Sequence, residues 1–349
     1  MFSGILQPGP GEVCTPMSVS RSTVAAWLAL GVLGWILALP VHAKAVDRTN
    51  TGVAKAQRTA KAVPKRLARK PVLRAVPAKP SIGQKIGLHT TDDPLALKSG
   101  VALVIDQDTD EVLFSKNSHA VLPIASITKL MTAVVVAESG LPMNEMLDVT
   151  GVDIGDTGKT SSSRLKVGTQ LSRAELLHLA LMASENRAAY TLGRHYPGGL
   201  PAFVAAMNVK AAALGMRDTR YVEPTGLSSQ NRSSAQDLSL LVRTAMTYPQ
   251  IRELSTSHEA HVAIGNKQVQ FKNTNGLVRN PEWEIGVQKT GYISEAGRCL
   301  VMQAQLAGRK LIMVLLDSAG RYSRIGDAER IKQWLVHSRV PVDLALPKV

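Results

Sequence analysis

The chain has 349 residues, of which 45% are hydrophobic and 19% are charged, so it can bury one large core or two modest ones and is not disordered as a whole. Lys and Arg number 41 against 27 Asp and Glu, which gives a formal net charge of +14. The chain has two cysteines, Cys14 and Cys299, which excludes a cysteine-rich scaffold and a cysteine-based metal cluster.

Residues 1–43 have the layout of a secretory signal peptide, with Met17 as an alternative start. A basic residue precedes an apolar run at residues 24–39, and small residues follow, so cleavage is expected after Ala43 or two residues later. The alternative is an uncleaved membrane anchor, although the apolar run is short for a bilayer span.

Residues 44–93 form a basic segment rich in Ala, Pro and Lys, for which we predict a flexible linker. Between Lys44 and Thr90 there are twelve Lys and Arg residues, one acidic residue and no aromatic residue. Such a composition cannot bury a core. The segment is either a tether attracted to an anionic envelope polymer or a membrane surface, or a solvated run of charge. The export signal and the lack of stacking aromatics argue against nucleic acid as a partner.

A globular composition extends over residues 94–338 and is followed by a short tail, residues 339–349. At its start, apolar and polar residues alternate on both sides of an Asp-rich turn within residues 100–117, which predicts a β-hairpin. The next element is a predicted helix that carries Ser126 near its start and stops at Gly140.

The middle of this region is predicted to be helical. One helix opens with the capping box Ser172-x-x-Glu175. Two further helices are predicted within residues 201–215 and 234–248, where apolar residues recur at helical spacing.

The last part of the region predicts three consecutive strands and a final helix, at residues 284–292, 298–308, 309–318 and 324–338. Strands therefore occur at both ends of the region, around a helical middle. This order predicts a mixed α/β (α+β) fold, in which one antiparallel sheet is built from both chain ends and is flanked by helices.

Ser126 and Lys129, in the segment PIASITKLMTA, are three positions apart and share a face of the predicted helix. A serine hydroxyl needs a base to become a nucleophile, and a lysine of lowered pKa can serve as that base. A helix N-terminus also offers free backbone N–H groups to a developing oxyanion. Taken alone, however, Ser126 is more simply an ordinary helix cap.

Two further polar motifs follow along the chain. The motif Ser184-Glu185-Asn186 lies between two predicted helices, where Ser184 either faces a site or caps the next helix. The motif Lys289-Thr290-Gly291 lies on a predicted strand. There it can offer a cation, a hydroxyl and close backbone access to one anionic ligand.

In this order, Ser-x-x-Lys, Ser-x-Asn and Lys-Thr-Gly are the signature of β-lactamases and penicillin-binding proteins. The sequence resembles the serine D-alanyl-D-alanine peptidases, which are low-molecular-mass penicillin-binding proteins of the Ser-x-x-Lys superfamily. Within them it is most similar to the D-alanyl-D-alanine endopeptidase branch, the penicillin-binding protein 7/8 type. The resemblance is carried by the segments PIASITKLMTA, LMASENRAAYTLGRHYPGG, VEPTGLSSQNRSSAQDL and VQKTGYISEAGRCLV.

This resemblance implies a β-lactamase/transpeptidase-like fold with a helical subdomain, and a catalytic domain at residues 94–338. It also implies a periplasmic enzyme that hydrolyses D-alanyl crosslinks in peptidoglycan through an acyl-enzyme, with β-lactam antibiotics as covalent inhibitors. No cofactor is expected, because a serine mechanism needs none. The histidines show no paired spacing typical of metal ligands, so no metal is expected either.

The resemblance further implies a catalytic role for four residues. Ser126 would be the acylated nucleophile, and Lys129 would be its base. Ser184 would relay a proton, while Asn186 would hold substrate amide groups. Lys289 would give electrostatic support by keeping the amine of Lys129 unprotonated.

Substrate contacts are implied for the strand that carries Lys-Thr-Gly. Thr290 would bind substrate through its hydroxyl beside Gly291, and the backbone N–H groups of Ser126 and Tyr292 would form the oxyanion hole. Arg298 would help to bind a substrate carboxylate.

Three alternatives remain at this point. A carboxypeptidase that removes terminal D-alanine would use the same motifs, but relatives of that type carry a further β-rich domain, for which the residues after Gly291 leave no room. A class A β-lactamase would need a Glu-x-x-Leu-Asn segment, which the segment from Glu223 does not match. A non-catalytic peptidoglycan-binding protein with the same fold is the third.

Overall fold

The computed structural model describes residues 79–154 and 163–337. Two sets of elements build it. The strands are β1 (Ser99–Asp106), β2 (Val112–Lys116), β3 (Leu122–Pro123), β4 (Met146–Asp148), β5 (Gln170–Ser172), β6 (Arg232–Ser233), β7 (Glu259–Ile264), β8 (Lys267–Lys272), β9 (Glu284–Ile293), β10 (Gly297–Leu306) and β11 (Arg309–Ser318). The helices are α1 (Ile82–Lys85), α2 (Thr128–Glu138), α3 (Arg173–Met182), α4 (Asn186–Arg194), α5 (Gly199–Ala213), α6 (Ala235–Ala245), α7 (Pro249–Thr256) and α8 (Ser323–His337).

One five-stranded antiparallel sheet, in the order β2-β1-β11-β10-β9, is made from the two ends of the described chain. Alternate residues of its central strands enter two different cores: Val101 and Leu103 of β1 lie in one, and Ala102 and Val104 in the other. Because helices cover both faces, β1 is buried along its whole length. The prediction of a mixed α/β (α+β) fold with a sheet from both ends is confirmed.

Helix α2 runs through the centre of the helical part and packs against α3, α5 and α6. Its residues from Thr128 to Val136 are all buried, so the helix is apolar on nearly every side. The charged residue of this buried stretch is Lys129, whose side chain is fully buried. A charged side chain inside such a helix requires partners, and these are described below.

Several sequence-predicted elements appear with small shifts. The Asp-rich turn does join β1 to β2 as an antiparallel hairpin. The capping box opens α3: the Ser172 hydroxyl accepts from the Glu175 N–H, and the Glu175 carboxylate accepts from the Ser172 N–H. The helices predicted within residues 201–215 and 234–248 are α5 and α6, and Ser234 caps the latter. The three C-terminal strands and the final helix are β9, β10, β11 and α8.

The sequence analysis passed over helix α7 and the two-stranded hairpin β7–β8. The hairpin had a readable signal, since Gly265 and Asn266 separate two alternating segments and Gly265 adopts a left-handed φ of 58°. Helix α7 starts with Pro249 at its first turn, which is also a recognised start signal.

Part of the predicted linker, residues 81–93, contacts the region predicted to start at residue 94. The Ile82 N–H donates to the Glu295 carbonyl at 2.9 Å, and Lys116 Nζ lies 2.7 Å from an Asp93 carboxylate oxygen in a buried ion pair. His89 Nε2 lies 3.0 Å from the carboxylate of Asp317. A polar segment is thus fixed by partners far away in sequence, which composition does not reveal.

The predicted signal peptide, residues 1–43, and the tail, residues 339–349, lie outside the described residues, as does most of the predicted linker. Within residues 79–154 and 163–337, no helix has the length and apolar character needed to cross a membrane.

Asp327 of α8 fastens that helix to the sheet. Its side chain is completely buried, and its carboxylate accepts from the Ser99 N–H at 2.8 Å, the Ser99 hydroxyl at 2.6 Å and the Lys98 N–H at 3.0 Å. These groups begin β1, so one carboxylate joins the start of the sheet to the last helix.

We expect Asp327→Ala to lower the free energy of unfolding by about 3 kcal/mol, because buried donors lose their acceptor. Urea denaturation followed by circular dichroism measures the effect. Asp108→Ala is the matched control, since that carboxylate is 60% exposed and lies 3.7 Å from Lys310; it should change stability by less than about 0.5 kcal/mol. Equal losses in the two variants would contradict the assigned role of Asp327.

Candidate active site

Ser126 lies in a short 3-10 turn, Ala125–Ile127, that leads directly into α2. The expectation of a serine near the helix start is thus met two residues before the first α-helical residue, Thr128. Ala125 has a left-handed φ of 49°, and the Thr128 hydroxyl donates to the Ala125 carbonyl at 2.8 Å. No side chain caps the turn or α2, so the simple capping explanation of Ser126 does not hold.

The amine of Lys129 is held by three oxygen atoms. Lys129 Nζ lies 2.9 Å from Ser126 Oγ, 2.7 Å from Asn186 Oδ1 and 2.6 Å from the Thr225 carbonyl oxygen. Burial lowers the pKa of Lys129 to about 7, although the carboxylates of Glu223 and Glu185 act in the opposite direction. A large fraction of this amine is therefore neutral near pH 7.

The second wall of the site is the connection between α3 and α4. Ser184 has a left-handed φ of 60°. Its Oγ lies 2.9 Å from Lys289 Nζ. The N-cap position of α4 is occupied by Glu185, whose side chain makes no capping hydrogen bond to this helix. Ser184 therefore does not cap the helix. Asn186, the first residue of α4, contacts Lys129 as given above.

Lys289 of β9 is the second completely buried lysine of the site. Its amine donates to Ser184 Oγ and, at 2.8 Å, to the Thr290 carbonyl. Burial lowers the pKa of Lys289 well below its usual range, and the positive charges of Lys129 and Arg324 act in the same direction. Two buried amines that repel each other's charge favour a state in which at least one is neutral.

The strand β9 passes very close to the turn that carries Ser126. A Cβ atom on Gly291 would lie 3.0 Å from the Ser126 nitrogen and 3.0 Å from the Ile124 carbonyl oxygen, so only glycine fits without displacement. The Thr290 hydroxyl lies 2.7 Å from the Thr274 hydroxyl. The side chain of the next residue, Tyr292, is 54% exposed.

Arg298 lies on β10, directly opposite Tyr292. Its guanidinium carbon is 4.3 Å from the centre of the Tyr292 ring. The structure thus brings together five predicted residues, Ser126, Lys129, Ser184, Asn186 and Lys289, through direct contacts. It places Arg298 on the neighbouring strand, without a contact to those five.

The sequence analysis missed Arg324, at the start of α8. This residue is 9% exposed, and its Nε and one Nη atom have no hydrogen-bond partner within the described part of the chain. Burial lowers the pKa of Arg324, and the nearby charge of Arg298 contributes in the same direction. No motif surrounds this arginine in the sequence. It comes near Lys289 only when α8 packs against the sheet, so the sequence carries no signal for it.

A second missed feature is the loop of residues 223–228, which we call the Glu223 loop. Its Thr225 carbonyl is one of the three acceptors at Lys129, and Gly226 packs against the Ser126 turn with a left-handed φ of 82°. A Cβ atom on Gly226 would lie 1.9 Å from the Ala125 carbonyl oxygen. The Pro-Thr-Gly sequence of this loop predicts a turn but not its place in the site.

Glu185, the middle residue of the second motif, is buried. Its carboxylate is hydrogen-bonded to the chain just after residue 162. The Ser163 hydroxyl donates to its carboxylate at 2.7 Å. The guanidinium of Arg164 lies 3.7 Å above the centre of the Phe271 ring, which belongs to β8. No group of three His, Cys, Asp or Glu side chains arranged to hold a metal occurs among the described residues.

These contacts form two polar groups: Ser126 and Asn186 surround the Lys129 amine, and Ser184 contacts the Lys289 amine, which is near enough to feel the charge of Lys129. A hydroxyl stands beside a buried amine of lowered pKa, which is the arrangement of an activated nucleophile. The backbone nitrogen of Ser126 lies beside Gly291 of β9, and a backbone N–H next to a nucleophile can stabilise a developing oxyanion. This arrangement can therefore support acyl transfer.

Comparison with known proteins shows which proteins this chain resembles. A family profile described as D-alanyl-D-alanine carboxypeptidase matches residues 88–320. A D-alanyl-D-alanine endopeptidase from Pseudomonas aeruginosa is 49% identical over 248 residues, which are 70% of this chain and 79% of that protein. A D-alanyl-D-alanine endopeptidase from Escherichia coli is 43% identical over 276 residues, which are 78% of this chain and 88% of that protein.

The fold also resembles solved structures. Penicillin-binding protein D2 from Listeria monocytogenes, in its cefotaxime-bound form, superimposes with a TM-score of 0.61 at 29% sequence identity. The match covers 69% of this chain and 98% of that protein. The fold is therefore β-lactamase/transpeptidase-like, as expected.

We predict that acylation of Ser126 by a β-lactam depends on pH with a midpoint near pH 7. Attack requires the neutral amine of Lys129, whose pKa is about 7, so the acylation rate constant should rise about tenfold per pH unit well below pH 7 and level off above it. Stopped-flow measurement with a chromogenic cephalosporin between pH 5 and pH 10 checks this.

The thermal midpoint, recorded at each pH, serves as the control for unfolding. A lysine with an ordinary pKa of about 10.4 would give a rate that continues to rise up to about pH 10. That result would contradict the lowered pKa of the buried Lys129 amine.

Proposed function

The chain belongs to the D-alanyl-D-alanine carboxypeptidase family, and from this premise we propose that it is a serine endopeptidase that hydrolyses D-alanyl crosslinks in peptidoglycan. The observation that carries the proposal is the 2.9 Å contact between Ser126 Oγ and the buried amine of Lys129. A serine beside a lysine of lowered pKa has the means to form an acyl-enzyme.

In the first step, neutral Lys129 takes the proton of the Ser126 hydroxyl while Oγ attacks the carbonyl carbon of the D-alanyl residue. The negative charge on the carbonyl oxygen is stabilised by the backbone N–H groups of Ser126 and Tyr292. The tetrahedral intermediate then collapses, the peptide C–N bond breaks, and the acyl group stays on Ser126.

The leaving amine needs a proton when the peptide bond breaks. Ser184 supplies it and receives in exchange the proton that Lys129 took from Ser126, so that Lys129 is neutral again before deacylation. The contact of Ser184 Oγ with Lys289 Nζ at 2.9 Å supports this role. Lys289 also disfavours protonation of Lys129 through its charge. Water then hydrolyses the acyl-enzyme, with Lys129 again as the base, and Ser126 is regenerated. Asn186 contacts the Lys129 amine and holds a substrate amide.

Binding of substrate is assigned to the edge strand β9 and its neighbour. The Thr290 hydroxyl and the backbone of β9 near Gly291 accept the peptide beside Ser126. Arg298 supplies positive charge for a substrate carboxylate. The unpartnered guanidinium nitrogens of Arg324 add to that charge near Lys289.

The endopeptidase assignment, rather than that of a carboxypeptidase, rests on the names of the relatives at 49% and 43% identity. A carboxypeptidase that removes terminal D-alanine is the second candidate, because the family profile carries that description. We place the enzyme in the periplasm, exported by its N-terminal segment. The basic residues between Lys44 and Thr90 would hold it near anionic envelope polymers or the membrane surface.

β-Lactams are expected to acylate Ser126 and to remain bound. A β-lactamase would need a free carboxylate to activate the deacylating water, and Glu223 does not provide one. Its two oxygen atoms accept hydrogen bonds from its own loop, as detailed below. The cefotaxime-bound form of the Listeria protein supports β-lactam binding by this fold.

We expect Ser126→Ala to abolish covalent labelling by a fluorescent penicillin, because the acylated oxygen is removed. Labelling is read by gel fluorescence, with the thermal midpoint measured in parallel. Ser294→Ala is the control, since that serine is exposed at the end of β9 and should keep full labelling. Persistent labelling of the Ser126 variant would rule out the proposed nucleophile.

Digestion of purified crosslinked muropeptide dimers, analysed by mass spectrometry, distinguishes the two peptidase activities. An endopeptidase releases monomers from dimers, and the Ser126→Ala variant releases none. Loss of a terminal D-alanine from monomers, without any cleavage of dimers, would instead identify a carboxypeptidase.

A further inference from the structure

The carboxylate of Glu223 is engaged almost entirely by its own loop. One oxygen accepts from the Thr225 N–H and the Thr225 hydroxyl, each at 2.6 Å. The other accepts from the Gly226 N–H at 2.6 Å, the Ser228 N–H at 3.3 Å and the Asn231 side-chain amide at 2.9 Å. One carboxylate thus fixes the backbone of the Glu223 loop through three N–H groups, those of Thr225, Gly226 and Ser228.

The backbone fixed in this way touches both reacting partners of the site. The Thr225 carbonyl accepts from the Lys129 amine at 2.6 Å. Gly226 lies against the Ala125–Ser126 peptide, and a Cβ atom there would come within 2.8 Å of the Ser126 nitrogen. The same loop therefore positions the base and supports the backbone N–H that faces a developing oxyanion.

A second connection runs from Glu223 to the Ser126 turn through Asn231, which is completely buried. The Asn231 amide donates to Glu223 and also to the Thr128 hydroxyl at 3.1 Å. That hydroxyl in turn donates to the Ala125 carbonyl. Displacement of the Glu223 carboxylate would thus loosen the turn from two sides.

We propose that Glu223 is a positioning residue of this enzyme, whose carboxylate holds the Glu223 loop against the Lys129 amine and the Ser126 backbone. The inference rests on the proposed function and adds to it a residue outside the three motifs. Glu223 does not touch the substrate and takes no proton, because its lone pairs are occupied by loop donors.

The charge of Glu223 provides a readout that a purely structural role would not change. The charged groups that act on the Lys129 amine are the carboxylates of Glu223 and Glu185, which raise its pKa against the effect of burial; the neighbouring Lys289 has its own pKa lowered by the charge of Lys129. Removing the Glu223 charge leaves one carboxylate fewer to oppose the effect of burial on the pKa of Lys129. The neutral form of Lys129 then extends to lower pH.

The test compares Glu223→Gln and Glu223→Asp with the wild type by the pH dependence of acylation with a chromogenic cephalosporin. For Glu223→Gln we expect the midpoint to move down by about 1 pH unit. We also expect the maximal rate constant to fall about 10- to 100-fold, because the base and the N–H lose their positions. Glu223→Asp keeps the charge but has a shorter reach, so its midpoint should stay near that of the wild type while its maximal rate falls.

Asp237→Asn is the matched control. Asp237 likewise accepts from a backbone N–H and a threonine hydroxyl, those of Asp218 and Thr219, but it lies away from Lys129. This variant should lose stability without moving the midpoint. Rate constants are expressed per acylatable protein, so that partial unfolding does not imitate the effect.

An unchanged midpoint and an unchanged maximal rate in Glu223→Gln would overturn the inference. If Glu223→Gln does not fold, a wild-type maximal rate in Glu223→Asp would overturn it as well. Failure of the wild type to be acylated at Ser126 would instead refute the proposed function, so the two failures can be told apart.

Discussion

The site depends on the burial of one amine, that of Lys129. A lysine in water holds its proton until about pH 10 and cannot act as a base at neutral pH. Inside α2, with no exposed surface, the same amine has a pKa of about 7. The surrounding structure makes this burial tolerable, because it gives the amine three oxygen partners.

Those three partners come from three different parts of the chain. Ser126 lies one turn earlier on the same helix, Asn186 begins α4, and Thr225 lies on the loop organised by Glu223. All three hydrogen-bond acceptors of Lys129 Nζ therefore come from the helical part of the protein. The sheet contributes from β9, which brings Lys289 to Ser184 and passes close to the Ser126 turn at Gly291.

Two residues of the site have a strained backbone. Ala125 and Ser184 are non-glycine residues with left-handed φ; Ala125 precedes Ser126, and Ser184 begins the Ser184-Glu185-Asn186 motif. Such conformations cost free energy and persist when neighbouring contacts hold them. Here the holding contacts are the Thr128 hydroxyl on the Ala125 carbonyl and the Lys289 amine on Ser184 Oγ. These contacts fix the positions of the Ser126 and Ser184 hydroxyls.

The sequence by itself determined the three motifs, the hairpin β1–β2, the Ser172 capping box and the sheet built from both chain ends, because these depend on local spacing and periodicity. Only the tertiary structure decided that Arg324 and the Glu223 loop reach the two lysines and that residues 81–93 join the domain. These contacts link residues far apart in the chain. Local patterns carry no information about which distant polar groups must meet to satisfy a buried charge.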